Sequence, residues 1–257
     1  METPFLSCTD VHKIFHKKGA EYNVLRDINF TIQRGEIIRI FGRSGVGKSV
    51  LLSLLCGIDR PTSGEINFQG MPLHQLSASQ LAHLRSKEIG IIFQNFNLIS
   101  YWTALENVEA AFSSRAVSRQ SVRDSAIQIL TQLGLRDRLS NMPAELSMGE
   151  QQRIALARTL IKKPKLILAD EPIGEVDSET AEMMVSLLHE HVENYGATLI
   201  ITTHGHFPER DADRCFEILD GQLLNKEKIH NVSSIKENTS SECHLVKNHV
   251  DGFDFEV

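Results

Sequence analysis

Eight consecutive residues, Gly42-Arg43-Ser44-Gly45-Val46-Gly47-Lys48-Ser49, spell the pattern G-x-x-x-x-G-K-S. The chemistry this pattern suits is the holding of a phosphate chain. Gly42, Gly45 and Gly47 lack Cβ, so successive backbone N–H groups can turn inward around β- and γ-phosphate oxygens. Lys48 is placed to reach those oxygens and Ser49 to ligate Mg²⁺. A glycine-rich turn alone would match by chance, but this one has the flanks that the motif requires. An apolar run, Ile37 to Phe41, precedes it, and a segment of helix length, Val50 to Cys56, follows and stops at Gly57.

Other candidate groups stand at the ends of apolar runs. Ile89 to Gln94 reads as a short buried strand ending on a polar residue, Gln94. Leu166 to Glu171 is a buried strand ending in two carboxylates, Asp170 and Glu171, and Thr198 to His204 is another ending in a histidine. A lone carboxylate or histidine in such a place is usually a solvated loop group. Three of them beside a phosphate loop suggest the carboxyl edge of an α/β sheet, where such folds gather ligand contacts. Phe15 and Tyr22 are both candidates for stacking on a base, and for either one ordinary packing is about as good an explanation. Ser147 and Glu150 form a capping box ahead of a helix over Gln151 to Ile161.

The elements that must position these groups follow from periodicity. Residues 5–33 predict short strands around a polar turn, with Val24 to Ile32 alternating like a half-buried strand. Arg39 interrupts the apolar run of its strand, and the sequence supplies no reason for it. Pro61 to Gly64 predicts a turn into a strand at Glu65 to Phe68. From about 96 to 161 the pattern is helical. One helix is predicted over Ala104 to Phe112 and another over Ser121 to Leu133, the latter with Val122, Ala126, Ile129, Leu130 and Leu133 on one stripe and Gly134 at its end. Residues 225–257 are mostly polar and predict an extension, with a brief alternation at Phe253 to Val257.

Composition narrows the classes. The 257 residues are 41% hydrophobic, ample for a core, and the net charge of −6 argues against a broad nucleic-acid surface, so no nucleic-acid partner is expected. Cys8, Cys56, Cys215 and Cys243 form no C-x-x-C pair and read as free thiols of a reducing compartment. No signal peptide is visible at Met1 to Pro4, and the longest apolar segment, Val50 to Ile58, falls far short of the about 20 residues a span needs. A role at a membrane would therefore come through a partner.

Taken together the motifs resemble the nucleotide-binding subunit of ABC transporters, over residues 5 to about 224. Gly42 to Ser49 is similar to the family's Walker A, Gln94 to its Q-loop, Leu146 to Glu150 to its signature and Leu166 to Glu171 to its Walker B strand with the following glutamate. Gly174 to Asp177 stands at the D-loop and His204 at the switch histidine. Phe15 matches the aromatic that stacks on adenine, with Tyr22 as runner-up. Cys56 to Gly64, Thr103 to Val108 and Leu168 to Pro172 look most like the lipoprotein-release and macrolide-export branch.

The resemblance implies an α/β fold of the P-loop NTPase class. Its RecA-like core with an antiparallel β subdomain would cover about 1–95 and 162–224, with an inserted α-helical subdomain at about 96–161. It also implies a head-to-tail dimer with two ATPs at the interface, an integral membrane permease as partner, and a peripheral place on the cytoplasmic face of the inner membrane. ATP and Mg²⁺ are the implied ligands. Phe15, Gly42 to Val50, Ser147, Gly149, Glu150 and Asp177 would bind nucleotide, and Ser49, Gln94 and Asp170 the metal. Glu171 would activate water, Gln94 would report the γ-phosphate and His204 would steady it.

Four residues depart from the family's pattern: Val50 for a hydroxyl, Met148 for the first signature glycine, Ile173 for a threonine and Glu175 for asparagine or serine. These changes leave binding expected and point to slow hydrolysis. A regulatory ATP-dependent dimer with little turnover is the competing reading. A soluble ABC ATPase of DNA repair or translation needs a long coiled coil or two cassettes, and the chain has neither.

Overall fold

The computed structural model describes residues 3–17, 19–112, 118–174, 176–204 and 212–226. Two antiparallel strands, β1 (Leu6–Lys17) and β2 (Ala20–Ile32), come first, and β3 (Ile37–Phe41) runs through the glycine loop into α1 (Lys48–Leu55). β4 (Ser63–Phe68) and the two-residue β5 (Met71–Pro72) precede α2 (Ala78–Lys87) and β6 (Ile89–Ile92). Three helices follow, α3 (Ala104–Glu109), α4 (Arg119–Gln132) and α5 (Met148–Leu160). The remainder alternates as β7 (Leu166–Asp170), α6 (Ser178–Tyr195) and β8 (Thr198–Thr203), then closes with β9 (Arg214–Leu219) and β10 (Gln222–Lys226).

The strands make two sheets. One is antiparallel in the order β2-β1-β4-β5, and the other has six strands in the order β10-β9-β3-β8-β7-β6. In the second sheet β9, β3, β8, β7 and β6 are mutually parallel and only β10 runs against its neighbour. Parallel pairing puts the carboxyl ends of β3, β6, β7 and β8 on one edge, and the candidate groups stand just beyond those ends. β7 and β8 are buried along their whole length, which is why they read as continuous apolar runs.

Alternate residues of the six-stranded sheet feed two cores. Ile38, Ile40, Leu166, Leu168 and Ile200 pack with α1 and the antiparallel sheet. Ile167, Ala169, Leu199 and Ile201 pack with residues of α3, α4, α5 and α6, including Val108, Leu130, Leu156 and Met184. Helix ends obey local chemistry: Ser77 with Gln80, Thr103 with Glu106 and Ser147 with Glu150 form capping boxes, and Gly196 ends α6 in left-handed backbone at φ 59°.

Several expected boundaries shift. The strand expected over Ile89 to Gln94 stops at Ile92, because a turn with left-handed Phe96 and Asn97 follows at once. β7 stops at Asp170, one residue short, since Glu171 turns to φ 49°. The first helix begins at Lys48 rather than Val50 and ends at Leu55, α3 ends at Glu109 rather than Phe112, and α4 begins at Arg119 under its Ser118 cap. α5 begins at Met148 because the capping box takes in the first turn. The polar stretch expected from 225 starts inside β10, and residues 227–257, with the alternation at Phe253 to Val257, lie outside the described residues.

Arg39 also finds an explanation. It lies on the half-buried face of β3, with its guanidinium 4.7 Å from the Phe41 ring centroid and Nη2 3.9 Å from Cys215 Sγ. Cys8, Cys56 and Cys215 are free thiols, and Cys243 lies outside the described residues. Burial pushes the Cys56 thiol up to about 11 and raises that of Cys8 as well, which holds both in the unreactive protonated form.

Helix α6 buries His191, whose Nε2 has no hydrogen-bond partner among the described residues. Burial, aided by the charge of Lys163 and opposed by a hydrogen bond at the Pro164 backbone, lowers its pKa to about 4. The folded chain therefore keeps this ring neutral where the unfolded chain, near pKa 6.5, takes a proton. Stability should fall as pH drops through the window from about 6.5 to 4, by at most about 3 kcal/mol from this group. Urea unfolding of His191→Phe beside wild type at pH 7 and pH 4.5 checks this. The variant is expected to lose less stability on acidification.

Candidate active site

The phosphate loop leaves β3 at Phe41 and enters α1 at Lys48. Gly47 is buried at φ 111°, and a Cβ there would lie 3.0 Å from Val24 Cγ1 and 3.1 Å from Leu25 Cδ2. Only glycine meets both the backbone angle and the space. At Gly42 a Cβ would meet Val46 Cγ1 at 2.7 Å, so the loop closes tightly on itself. Lys48, 5% exposed, donates from Nζ to the carbonyls of Gly42 at 2.8 Å and Arg43 at 3.2 Å. Arg43, Ser44, Gly45 and Ser49 are exposed around it, whereas Val50, in the first turn of α1, packs against the core.

Four of the candidate residues meet at one carboxylate. Glu171 Oε1 lies 2.7 Å from His204 Nδ1 and 3.7 Å from Lys48 Nζ, and Oε2 accepts from Gln94 Nε2 at 3.4 Å. The Glu171 side chain is 12% exposed. The ammonium, imidazole and amide at its two oxygens offset the cost of withdrawing a carboxylate from water. The backbone of Glu171 is held as firmly: its N–H donates to Thr202 O at 3.0 Å, and its carbonyl accepts from Gln152 Nε2 at 3.1 Å and Gly174 N–H at 3.2 Å. Next to it Asp170, 8% exposed, accepts from Thr202 Oγ1 at 2.6 Å.

The sequence gives no notice of Gln152 and Thr202. Each is a polar residue on a buried face, Gln152 in α5 and Thr202 in β8. That mismatch between residue type and environment is the only available signal, because buried polar groups need partners.

The donor set suits a hard divalent cation. Ser49, Gln94 and Asp170 offer hydroxyl, amide and carboxylate oxygens, the ligands Mg²⁺ takes, and none offers sulfur or imidazole.

The remaining candidates stand apart from this cluster. Ser147 and Glu150 bond each other in the first turn of α5, and Glu150 Oε1 also accepts from Arg138 Nε at 2.9 Å. The hydrogen bond from the Ser147 backbone holds the Glu150 carboxyl below its ordinary range, with Arg138 assisting. Among the described residues no hydrogen bond or ion pair joins Ser147, Gly149 or Glu150 to Glu171. Met148 projects from the same turn, 54% exposed. Asp177 caps α6, accepting from Thr180 N–H at 2.9 Å and Thr180 Oγ1 at 2.8 Å, and the first of these bonds lowers its pKa. Ile173 packs against the helical core, and Glu175 lies outside the described residues. Phe15 and Tyr22 face each other across β1 and β2, and both rings are substantially exposed. Lys13 Nζ, anchored on Asp59 at 2.7 Å, sits 4.8 Å from the Phe15 centroid.

A family model described as ABC transporter matches residues 25–174. The "Uncharacterized ABC transporter ATP-binding protein YbbA" of Escherichia coli K12 is 40% identical over 86% of this chain and 98% of its own. The "Lipoprotein-releasing system ATP-binding protein LolD" of Shewanella denitrificans is 38% identical over 88% of this chain and 97% of its own. Among solved structures, the cassette MJ0796, described as a dimer in a post-hydrolysis state bound to ADP and Pi, superposes with a TM-score of 0.83. It is 36% identical, covering 88% of this chain and 99% of that one.

The buried bond to Asp170 has a measurable worth. Thr202→Val keeps the shape of the side chain and removes its hydroxyl. The expected loss is about 1.5–3 kcal/mol, the range for a hydrogen bond to a charged group. Urea denaturation at neutral pH, with an unchanged m-value, is the measurement.

Proposed function

The chain belongs to the ABC transporter family, and from that premise we propose that it is an ATPase subunit that works as a head-to-tail pair with a second copy and drives a separate membrane permease. The observation that carries this reading is the convergence of Lys48, Gln94 and His204 on the Glu171 carboxylate at the carboxyl ends of four parallel strands. Phosphoryl transfer asks little covalent chemistry of a protein and much positioning and charge neutralisation, which is what this arrangement offers.

In this reading the loop amides from Gly42 to Ser49 hold the triphosphate, and Lys48 exchanges its loop carbonyls for phosphate oxygens. Glu171 orients a water and accepts its proton, while His204 and Gln94 keep the carboxylate aimed. Ser49, Gln94 and Asp170 would hold Mg²⁺, which when bound would supply charge neutralisation at the phosphates. Phe15 presents the adenine-stacking face, and its neighbour Lys13 occupies one side of the ring system. Ser147, Gly149, Glu150 and Asp177 serve the nucleotide of the partner copy. Their separation from Glu171 within one chain agrees with that assignment.

No helix among the described residues is long and apolar enough to cross a membrane. The permease contact is proposed at the loop after Gln94, where Ile99, Tyr101 and Trp102 are exposed, Tyr101 at 89%. Such a run of apolar side chains in solvent suits a protein partner. The subunit thereby sits on the cytoplasmic face of the inner membrane. The relation to the lipoprotein-releasing ATP-binding protein favours an export or extraction substrate. A regulatory dimer with little turnover remains the second reading, favoured by Met148 and Glu175.

Glu171→Gln is expected to slow steady-state hydrolysis by about 10² to 10⁴, the worth of a positioned general base. It should leave ATP bound and yield an ATP-dependent dimer on a sizing column. Lys48→Ala, as control, should lose nucleotide. Unchanged turnover in Glu171→Gln would exclude it as the base.

A second measurement addresses the seam. A methionine side chain where a glycine lets backbone approach phosphate, and a carboxylate near a triphosphate, both disfavour closure. Met148→Gly with Glu175→Asn is expected to raise turnover at saturating ATP without changing monomer affinity. Equal or lower turnover would show that the chain has compensated for both residues.

A further inference from the structure

The turn that follows Gln94 is unusual in its backbone. Phe96 and Asn97 are consecutive non-glycine residues in left-handed conformation, at φ 58° and 49°. Inside the turn the Phe96 N–H donates to Phe93 O at 3.0 Å and the Asn97 N–H to Asn95 O at 2.5 Å. Left-handed backbone is unfavourable for any residue with a Cβ, and two in succession persist only where something outside the turn holds them.

What holds them is a side chain from another element. Arg158, in the last turn of α5, donates from Nη2 to Phe96 O at 2.5 Å and from Nη1 to Asn97 O at 2.6 Å. The guanidinium fork fits two adjacent carbonyls as a single ammonium cannot. The neighbouring residues continue the seam: Thr159 Oγ1 donates to Ile91 O at 3.0 Å, and Lys162 Nζ donates to Ile89 O at 2.6 Å. From Ile89 to Asn97 the chain is thus fastened through its carbonyls to the end of α5 and the turn after it. Gln94 lies inside that fastened stretch, and its amide reaches Glu171 at 3.4 Å. Burial lowers the pKa of Arg158, a cost that its two carbonyl bonds offset.

We propose that Arg158 is a positioning residue that clamps the Phe96–Asn97 turn onto α5, so that the reach of Gln94 to Glu171 follows the position of the helix that carries Ser147 to Glu150 at its other end. The inference rests on the ATPase reading for its consequence in turnover, but the clamp itself stands on the bonds and the backbone angles. A shift of α5 felt at Ser147 is then passed through three turns of helix and two hydrogen bonds to Gln94. The one tryptophan of the chain, Trp102, lies five residues beyond Asn97, and its N–H donates to Ile99 O at 3.1 Å, so it reports on the same loop.

The test compares wild type, Arg158→Met, Arg158→Lys and the pair Arg158→Met with Asn97→Gly. In Arg158→Met, amide hydrogen exchange at Phe96 and Asn97 should rise at least tenfold while α5 amides at Leu156 and Ala157 stay within twofold. The kcat for ATP should fall about tenfold or more with the ATP dissociation constant within twofold of wild type, and the Trp102 fluorescence change on adding Mg-ATP should be lost. Lysine should restore part of each. Asn97→Gly, which adopts left-handed backbone freely, should rescue kcat in the Arg158→Met background, an effect that a merely stabilising arginine would not produce. Unchanged local exchange in Arg158→Met, or no rescue by glycine, would overturn the clamp. If Arg158→Met fails to fold, the lysine variant carries the same comparison. Failure of wild type to bind or hydrolyse ATP would overturn the functional reading alone, since hydrogen exchange still decides the clamp.

Discussion

A nearly buried carboxylate with partners on three sides is the interaction on which this structure turns. At 12% exposure Glu171 has little water to bond, so Lys48, Gln94 and His204 stand around it instead, and those residues come from three different strand ends. Parallel pairing of β3, β6, β7 and β8 makes the meeting possible, because it sends all four chains out of the sheet in one direction. The left-handed backbone of Glu171 then turns the side chain from the strand's line toward the phosphate loop, with Gln152 and Thr202 fixing its peptide groups.

The helical region takes part in this more closely than an inserted lobe needs to. α5 begins at a capping box on the surface and ends beneath β6, and its buried face carries Gln152 to the Glu171 carbonyl on the way. One helix therefore lives in two environments. Asn107, fully buried in α3, adds a second tie by accepting from Ile99 N–H and donating to the carbonyls of Ile99 and Trp102. The loop between sheet and helices has no freedom to wander, although its tip carries large apolar side chains in solvent.

Much of this was legible beforehand, for identifiable reasons. The phosphate loop announces itself through glycines that its angles and its contact with Val24 and Leu25 demand. β7 and β8 were visible as unbroken apolar runs because both faces of the sheet are covered. Gln94, Glu171 and His204 meet in the fold, yet each stands one or two residues beyond its strand proper, and the left-handed backbone at Glu171 and after Gln94 is recorded by no apolar pattern. Gln152, Thr202 and Arg158 were not legible as contributors, because their partners are backbone carbonyls or a carboxylate far away in sequence. The acceptors of Gln152 and Arg158 stand out only once the fold bends the chain at Glu171 and at Phe96. Arg39 looked misplaced in an apolar strand and is accommodated by Phe41 and Cys215, the latter 176 residues later.

The order of the six-stranded sheet has a consequence for how the chain comes to be folded. β3, which launches the phosphate loop, pairs with β8 on one side and β9 on the other, and those strands end at Thr203 and Leu219. During synthesis β3 emerges early and must then wait, with both edges unpaired, until almost the whole domain has left the ribosome. Its partners are distant contacts of the kind that make folding slow and leave strand edges open to wrong neighbours. The loop is thus completed by some of the last-made strands of the domain, and a growing chain has no finished nucleotide cradle until its own sheet can close.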